Sequence, residues 1–180
     1  MKLDALERYL KSFGNQVVNQ AKGNLTAAEK GGALEKSISF FVTAQKGLLT
    51  VKFKMDSYGK FVDKGVSGTE KERSYTNYKG KTLVSPFAYK KSKGHSQPPT
   101  KALDKWIVKK GIAPRDKEGK FMSRKSIKFL IARSIGKKGI QGISFFQQPL
   151  MLGMQQFSGN FGAALKKNIL DSLKQQKIIS

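Results

Sequence analysis

The chain has no cysteine and a single histidine among its 180 residues. Without cysteine there can be no disulfide framework, no thiolate metal site and no cysteine nucleophile. The one histidine, His95, lies in K-S-K-G-H-S-Q-P-P. A loop of small and charged residues such as this one is typical of a histidine on the solvated surface. One histidine also excludes an ordinary zinc site. The sequence therefore predicts no metal and no cofactor.

Acidic residues are scarce, with 12 Asp and Glu against 35 Lys and Arg. Several stand beside a basic residue, as Glu7 does beside Arg8, which indicates charge partners. Asp56 and Asp63 lie close enough in sequence to cooperate, but no other feature supports hydrolysis. The glycine-rich stretches lack the Gly-Lys-Ser/Thr of a phosphate loop. Because no acid, base and nucleophile form a constellation, we predict no catalytic residue and no enzymatic activity.

Long hydrophobic runs are also missing. The start M-K-L-D-A-L-E-R lacks the apolar core of a signal peptide. The uncharged stretch 139–165 is interrupted by glutamine every few positions, so no transmembrane helix is expected. These features predict a protein of a reducing cytoplasm with no membrane partner. A length of 180 residues suits one domain, which we expect to span residues 1–180.

Positive charge is abundant and uneven. The formal net charge is +23, and residues 79–138 hold 18 Lys and Arg against 3 Asp and Glu. Such a field attracts polyanions, either passing DNA contacted without sequence specificity or an acidic protein. The alternative is a solvated face with no partner. The residues predicted to make electrostatic contact with a partner or DNA are Lys90, Lys91, Lys93, Lys109, Lys110, Arg124, Lys137 and Lys138.

Hydrophobic periodicity predicts the first half of the fold. An apolar stripe at steps of three and four over residues 3–22 predicts an amphipathic helix that ends at Gly23. Residues 24–36 have the composition of a polar loop. Alternating apolar and polar residues over 37–44 and 49–55 predict a β-hairpin with one buried face.

The second half is expected to be mainly helical. Helices are predicted over 100–111, with Trp106 in the core, and over 123–136, ending at Gly136. A long helical region from about 149 to 178 is expected to bend or break near 158–162, where glycines cluster. The loops 66–82 and 90–98, rich in small and basic residues, are expected to be flexible. The predicted class is α+β, a small antiparallel sheet around a hairpin packed by long N- and C-terminal helices, with two short basic helices.

The uncharged stretch 139–165 has two interpretations, the domain core or a subunit interface. We expect a mixture, with phenylalanines inward and glutamines toward a neighbouring copy. The residues predicted to form an oligomer interface are Phe145, Phe146, Gln148, Gln156, Phe157 and Phe161.

Four segments resemble a known family when read in order. Residues 131–146 read I-A-x-x-I-x-x-K-G-I-x-G-x-x-F-F, which resembles a pattern in bacteriophage neck and tail-completion proteins. A-K-G-N-L followed by G-G-A-L-E-K-S-I, then Y-G-K-F-V-D-K-G at 58–65, and the S-P-F of Ser85 to Phe87 are similar to further segments of that family. The chain departs from it where Gly31 replaces a usual threonine. Residues 66–122 are longer and more basic than in a minimal member.

The resemblance implies a structural virion protein rather than an enzyme. Family members join the packaged head to the tail, so copies are expected to form a ring, a hexamer or a dodecamer, in the neck. The implied neighbours are the portal or connector and the tail-tube or tail-terminator proteins, with non-specific contact to passing DNA. Assembly is expected in the host bacterial cytoplasm. The alternative is a non-enzymatic, sequence-independent DNA-binding protein that uses residues 79–138.

Overall fold

The computed structural model describes residues 4–45, 48–91, 96–115 and 118–177, and the side chains up to residue 174. Lys93 and His95 therefore lie outside the described residues. The fold is α+β, with helices and two small two-stranded sheets. The elements in chain order are α1 Asp4–Ala27, α2 Ala33–Ser37, β1 Ser39–Gln45, β2 Leu48–Lys54, α3 Gly59–Lys64, β3 Ser74–Thr76, β4 Thr82–Val84, a 3₁₀ helix Thr100–Leu103, α4 Asp104–Lys109, α5 Arg124–Lys138 and α6 Gln147–Lys177.

The chain divides into two compact units. Unit 1 comprises Met1–Asp63, Thr76–Thr82 and Ser144–Ser180, and unit 2 comprises Lys64–Tyr75 and Leu83–Ile143. Unit 1 holds the long helices and the β1–β2 hairpin, and unit 2 holds the basic helices α4 and α5. The expectation of one domain over the whole chain stays a prediction.

Helix α1 is the element of unit 1 on which α6 and the β1–β2 hairpin pack. It is longer than predicted. It continues through Gly23 to Ala27, so the predicted end at Gly23 was wrong. Leu25 lies on the buried face of the added turn and is fully buried. Burying a leucine gains about 1.5–3 kcal/mol, which exceeds the roughly 1 kcal/mol that a helical glycine costs. The predicted polar loop 24–36 is also partly helical, since it includes the start of α2.

The predicted hairpin is confirmed. Strands β1 and β2 pair antiparallel, with Val42 opposite Val51 and Phe40 opposite Phe53. The Phe53 ring makes an edge-to-face contact with Phe13 of α1, with the ring centroids 6.4 Å apart. Gly14 of α1 leaves room for the Phe40 ring, which a Cβ there would overlap. One face of the hairpin therefore packs on α1 through aromatic side chains.

Helix α6 packs along α1 and is unbroken. The ring centroids of Phe157 and Phe13 are 5.3 Å apart, and Asn168 accepts a hydrogen bond from the backbone of Ala5 at 2.9 Å. The helix runs without interruption through Gly159 and Gly162, so the predicted break was wrong. Contacts with α1 on both sides of these glycines hold the helix across them.

Unit 2 has a smaller core between α4 and α5. Its buried residues are Leu103, Ile107, Ile127 and Ala132. Trp106, which was predicted to lie in the core, is 44% exposed instead. A six-residue helix such as α4 buries only a narrow stripe, and Leu103 and Ile107 fill it.

Helix α5 ends later than predicted. Ser123 caps its N-terminus by accepting a hydrogen bond from the Ser126 amide. Gly136, the predicted end, lies inside the helix, against the backbone carbonyl of Ser96. Gly139 takes the positive φ of 71° instead. The amides of Thr69 and Glu70 donate to the carbonyls of residues 136 and 137, which satisfies acceptors that a helix end leaves unpaired.

The predicted loop 66–82 is more structured than its composition indicates. It contains β3 and the isolated bridges of Val66 with Ile140 and of Ser67 with Ala88. Flexibility of this stretch and of 90–98 stays a prediction.

Candidate interaction surfaces

Two of the four segments that resemble the neck and tail-completion family (the resembling segments) cross in unit 2. Their backbones are in direct contact there. Val66 and Ile140 exchange two hydrogen bonds, of 2.9 and 2.8 Å. On either side of this pair, Gly65 and Gly139 have positive φ values of 74° and 71°. A Cβ on Gly139 would collide with the Val66 carbonyl, and a Cβ on Gly65 would lie 2.6 Å from the Ile140 oxygen. The glycines of both segments are therefore required by the crossing itself.

The S-P-F segment joins the same crossing. Ser85 is buried, and its hydroxyl donates to the carbonyl of Gly65 at 2.8 Å. The same oxygen accepts from the Phe87 amide at 3.1 Å. Ser85 thus gives the Gly65 carbonyl a hydrogen-bond partner. This bond holds the S-P-F segment against the turn at Gly65.

Asp63 links two segments within unit 1. Asp63 is 3% exposed, and its carboxylate accepts hydrogen bonds from the amides of Phe146 at 2.9 Å and Gln147 at 3.3 Å. These amides open α6, so the carboxylate caps the helix and meets the positive end of its dipole. The Asp63 carbonyl also accepts from the Ser144 amide. Asp63 therefore has a structural contact that sequence reasoning missed, because the partner lies far along the chain.

The N-terminal segments meet the same region of unit 1. The Asn24 amide donates to the carbonyl of Phe145 at 3.3 Å, across 121 residues. Leu34 of G-G-A-L-E-K-S-I is fully buried and packs against Gly59, where an added Cβ would lie 3.0 Å from the Leu34 side chain. Each resembling segment therefore contacts another of them, within unit 1 or within unit 2.

The predicted interface residues divide into two groups. Phe145 is fully buried and Phe146 is 9% exposed, so these two belong to the core of unit 1 and offer little surface to a neighbour. Phe157 and Phe161 are half-buried and stack on each other at 5.4 Å. Gln148 and Gln156 are exposed. Contact of these residues with a second copy stays a prediction.

A further apolar surface appears on the second half of α6. From Phe157 to Leu173, apolar residues of α6 recur at every fourth position, and each such step turns about 40° past a full revolution. This row of residues therefore faces α1 at Phe157 and has turned outward by Ile169. Ile169, Leu170 and Leu173 are 43%, 47% and 54% exposed, and we call these three residues the α6 stripe. The steps of four were the sequence signal for it.

The residues that were predicted to make electrostatic contacts all belong to unit 2. This unit holds 19 Lys and Arg against 5 Asp and Glu, a formal net charge of +14. Lys137 is half-buried and pairs with Glu70 at 2.7 Å. Its charge is therefore partly compensated within unit 2. Lys93 lies outside the described residues. The remaining predicted residues are exposed: Lys90, Lys91, Lys109, Lys110, Arg124 and Lys138.

Unit 2 also exposes large apolar side chains among these cations. Trp106, Val108, Phe121 and Phe129 are 44%, 60%, 64% and 50% exposed. Sequence reasoning missed this surface because the spacing of Trp106 with Leu103 and Ile107 fits a buried stripe. Val108 and Phe121 line one cleft, and exposed apolar groups that lie close together mark interaction sites more often than free surface.

Burial perturbs the pKa of three titratable groups among the described residues. Burial raises the pKa of Tyr9 and of Tyr89 and lowers the pKa of Lys30. Within residues 4–45, 48–91, 96–115 and 118–177, no group of three acidic or histidine side chains could hold a metal ion. No helix in this part of the chain has the length and apolarity that crossing a membrane requires.

Comparison of the chain with protein-family models, with curated proteins and with solved structures gave no match.

Proposed function

We propose that the chain is a structural protein that forms a ring at the junction of a bacteriophage head and tail. The observation that carries this proposal is the contact between the resembling segments. Asp63 caps α6 at Phe146, Asn24 bonds to Phe145, and Gly65 meets Ser85 and Ile140. Residues that match a family pattern only by chance have no reason to contact one another across the chain. Their contacts support the resemblance as a shared set of structural constraints.

The surfaces suit a subunit of an assembly. A closed ring needs two different surfaces on each subunit, because each copy meets its neighbours head to tail. The α6 stripe supplies an apolar surface in unit 1, on the same helix as the exposed Gln156 and the half-buried Phe161. Unit 2, with a net charge of +14, suits acidic surfaces of the portal, connector, tail-tube or tail-terminator proteins. The ring would contact passing DNA without sequence specificity.

We expect the α6 stripe to contribute to contacts between copies. Ile169→Lys should reduce the oligomer to monomers while changing the free energy of unfolding by less than about 0.5 kcal/mol, because Ile169 is already exposed. Light scattering gives the mass, and electron microscopy shows whether the wild-type particles are closed rings. Both are measured on the protein alone and after mixing with portal and tail-tube rings.

The matched control is Leu48→Lys, which places the same charge at an exposed leucine of β2 and should leave the mass unchanged. A wild-type chain that stays monomeric under both conditions contradicts the proposed ring. A ring that survives Ile169→Lys removes the α6 stripe from the interface and leaves the ring itself standing.

The exposed aromatic side chains of unit 2 favour one second candidate, a sequence-independent DNA-binding protein. Trp106 and Phe129 are about half exposed in a strongly basic unit, and exposed aromatics among cations stack on bases. This candidate predicts low-micromolar binding to DNA that falls steeply as salt increases. Such binding by a chain that never forms rings would favour it over the first proposal.

A further inference from the structure

An apolar cleft of about 440 Å³ opens in unit 2 beside the end of α4. Its floor is continuous with the small core of this unit, since Ile107 and Ile127 belong to both. Its rim is exposed, with Val108 at 60% and Phe121 at 64%. Its large apolar lining residues are Ile107, Val108, Ile112, Phe121, Met122 and Ile127. The cleft therefore gives a ligand access to buried apolar surface.

The rim is held in place by hydrogen bonds and by one cation–π contact. Gly111, with φ of 61°, turns the chain at the end of α4, and Ile112 donates back to the Ile107 carbonyl at 3.1 Å. Arg115 bridges to Phe121 in antiparallel fashion, and its guanidinium lies 3.9 Å from the Phe121 ring centre. Phe121 is therefore fixed in an exposed position, which lowers the entropy that a ligand must overcome on binding.

One lining residue of the cleft is charged, and it is a cation. Arg124 lines the cleft and is exposed. Lys109 follows Val108 directly and Lys125 follows Arg124, and both lysines are exposed. An arginine guanidinium pairs with a carboxylate through two parallel hydrogen bonds. The surface thus combines an apolar cleft with cations that favour carboxylates.

We propose that this cleft docks an acidic segment of a partner protein. Aliphatic side chains of that segment would enter the cleft above Ile107 and Ile127, and its carboxylates would meet Arg124 and Lys109. A nucleic acid fits the cleft less well, because the lining is mostly aliphatic and Arg115 already covers one face of Phe121. This inference concerns unit 2 alone and does not depend on the formation of a ring.

The test uses the full chain and a fluorescein-labelled amphipathic peptide of Glu, Ala and Leu, with leucines at steps of three and four. A second peptide carries serine in place of each leucine, and a labelled oligothymidine is the third probe. At about 150 mM salt, where long-range attraction is screened, fluorescence anisotropy should show the leucine peptide binding at least tenfold more tightly than the serine peptide.

Variants assign that binding to the cleft. The double substitution of Val108→Ser with Phe121→Ser, and separately Arg124→Glu, should each weaken binding of the leucine peptide about tenfold or more. Leu48→Ser, at an exposed leucine of unit 1, should leave it unchanged. The substituted residues are exposed, and equal thermal midpoints by circular dichroism verify that the variants are folded.

Three results would overturn the inference. Equal binding of the leucine and serine peptides means that charge alone attracts them. No binding of either peptide rejects the cleft as a docking site for acidic segments. Tighter binding of oligothymidine, weakened by the same double substitution, assigns the surface to nucleic acid. Rings observed by microscopy together with any of these results would reject the docking site and keep the proposed function.

Discussion

Replacing Gly139 with alanine is expected to lower the free energy of unfolding by about 2–6 kcal/mol. Gly139 has φ of 71° and ψ of −173°, a region that is essentially restricted to glycine and costs other residues about 1–3 kcal/mol. The added Cβ would also collide with the Val66 carbonyl and lie 2.5 Å from the Gly68 amide nitrogen. These are backbone atoms of a hydrogen-bonded crossing, so they cannot move aside cheaply, and overpacking adds about 1–3 kcal/mol.

Gly159→Ala is the matched control for this prediction. Gly159 lies inside α6 with no atom within 4 Å of an added Cβ, so alanine should stabilise the protein by about 0.5–1 kcal/mol. Chemical denaturation measures both changes. A loss below about 1 kcal/mol for Gly139→Ala would contradict the close backbone crossing of Val66 and Ile140.

Asp63→Ala is expected to lower the free energy of unfolding by about 3 kcal/mol. The carboxylate caps α6 at the amides of Phe146 and Gln147, and losing such a cap costs about 0.5–2 kcal/mol. Because this cap is buried, the Phe146 amide would also lose its partner away from water, which adds about 1–3 kcal/mol. For a chain of this length the thermal midpoint should fall by roughly 6–12 °C.

Two variants separate the cap from a general effect of charge. Asp63→Asn keeps an oxygen that accepts the same hydrogen bonds, so it should lose less than half as much stability as Asp63→Ala. Asp56→Ala removes an exposed carboxylate and should change the free energy of unfolding by less than about 0.5 kcal/mol. Equal losses for Asp63→Ala and Asp56→Ala would rule out the buried cap.

Local patterns predicted the elements that depend on local contacts. The alternation over the hairpin fixed which residues of β1 and β2 face α1, since a strand presents every second side chain to one side. The α+β class followed from that hairpin and the two amphipathic helices. The order of the elements in the second half was also predictable from turn residues such as Gly111.

Positions set by contacts distant in sequence were not predictable. In the sequence, Gly136 and Gly139 are equally suited to end α5. Which of them ends the helix depends on where the chain at Val66 pairs with it. Asp63 resembled a candidate acid, because nothing near it in sequence reveals the helix that it caps. Trp106 fitted a buried stripe, but α4 has only a small core to pack against. The cleft of unit 2 was missed for the same reason, since Val108 and Phe121 line it together only after the chain turns at Gly111.

The location of this chain in a virion tests the proposed function most directly. The measurement is a cryo-electron microscopy reconstruction of phage particles purified from the host in which the chain is produced. The account predicts a closed ring of this chain at the head–tail junction, with the α6 stripe of each copy against its neighbour. Particles that lack the chain, or that carry it away from the junction, would contradict the account.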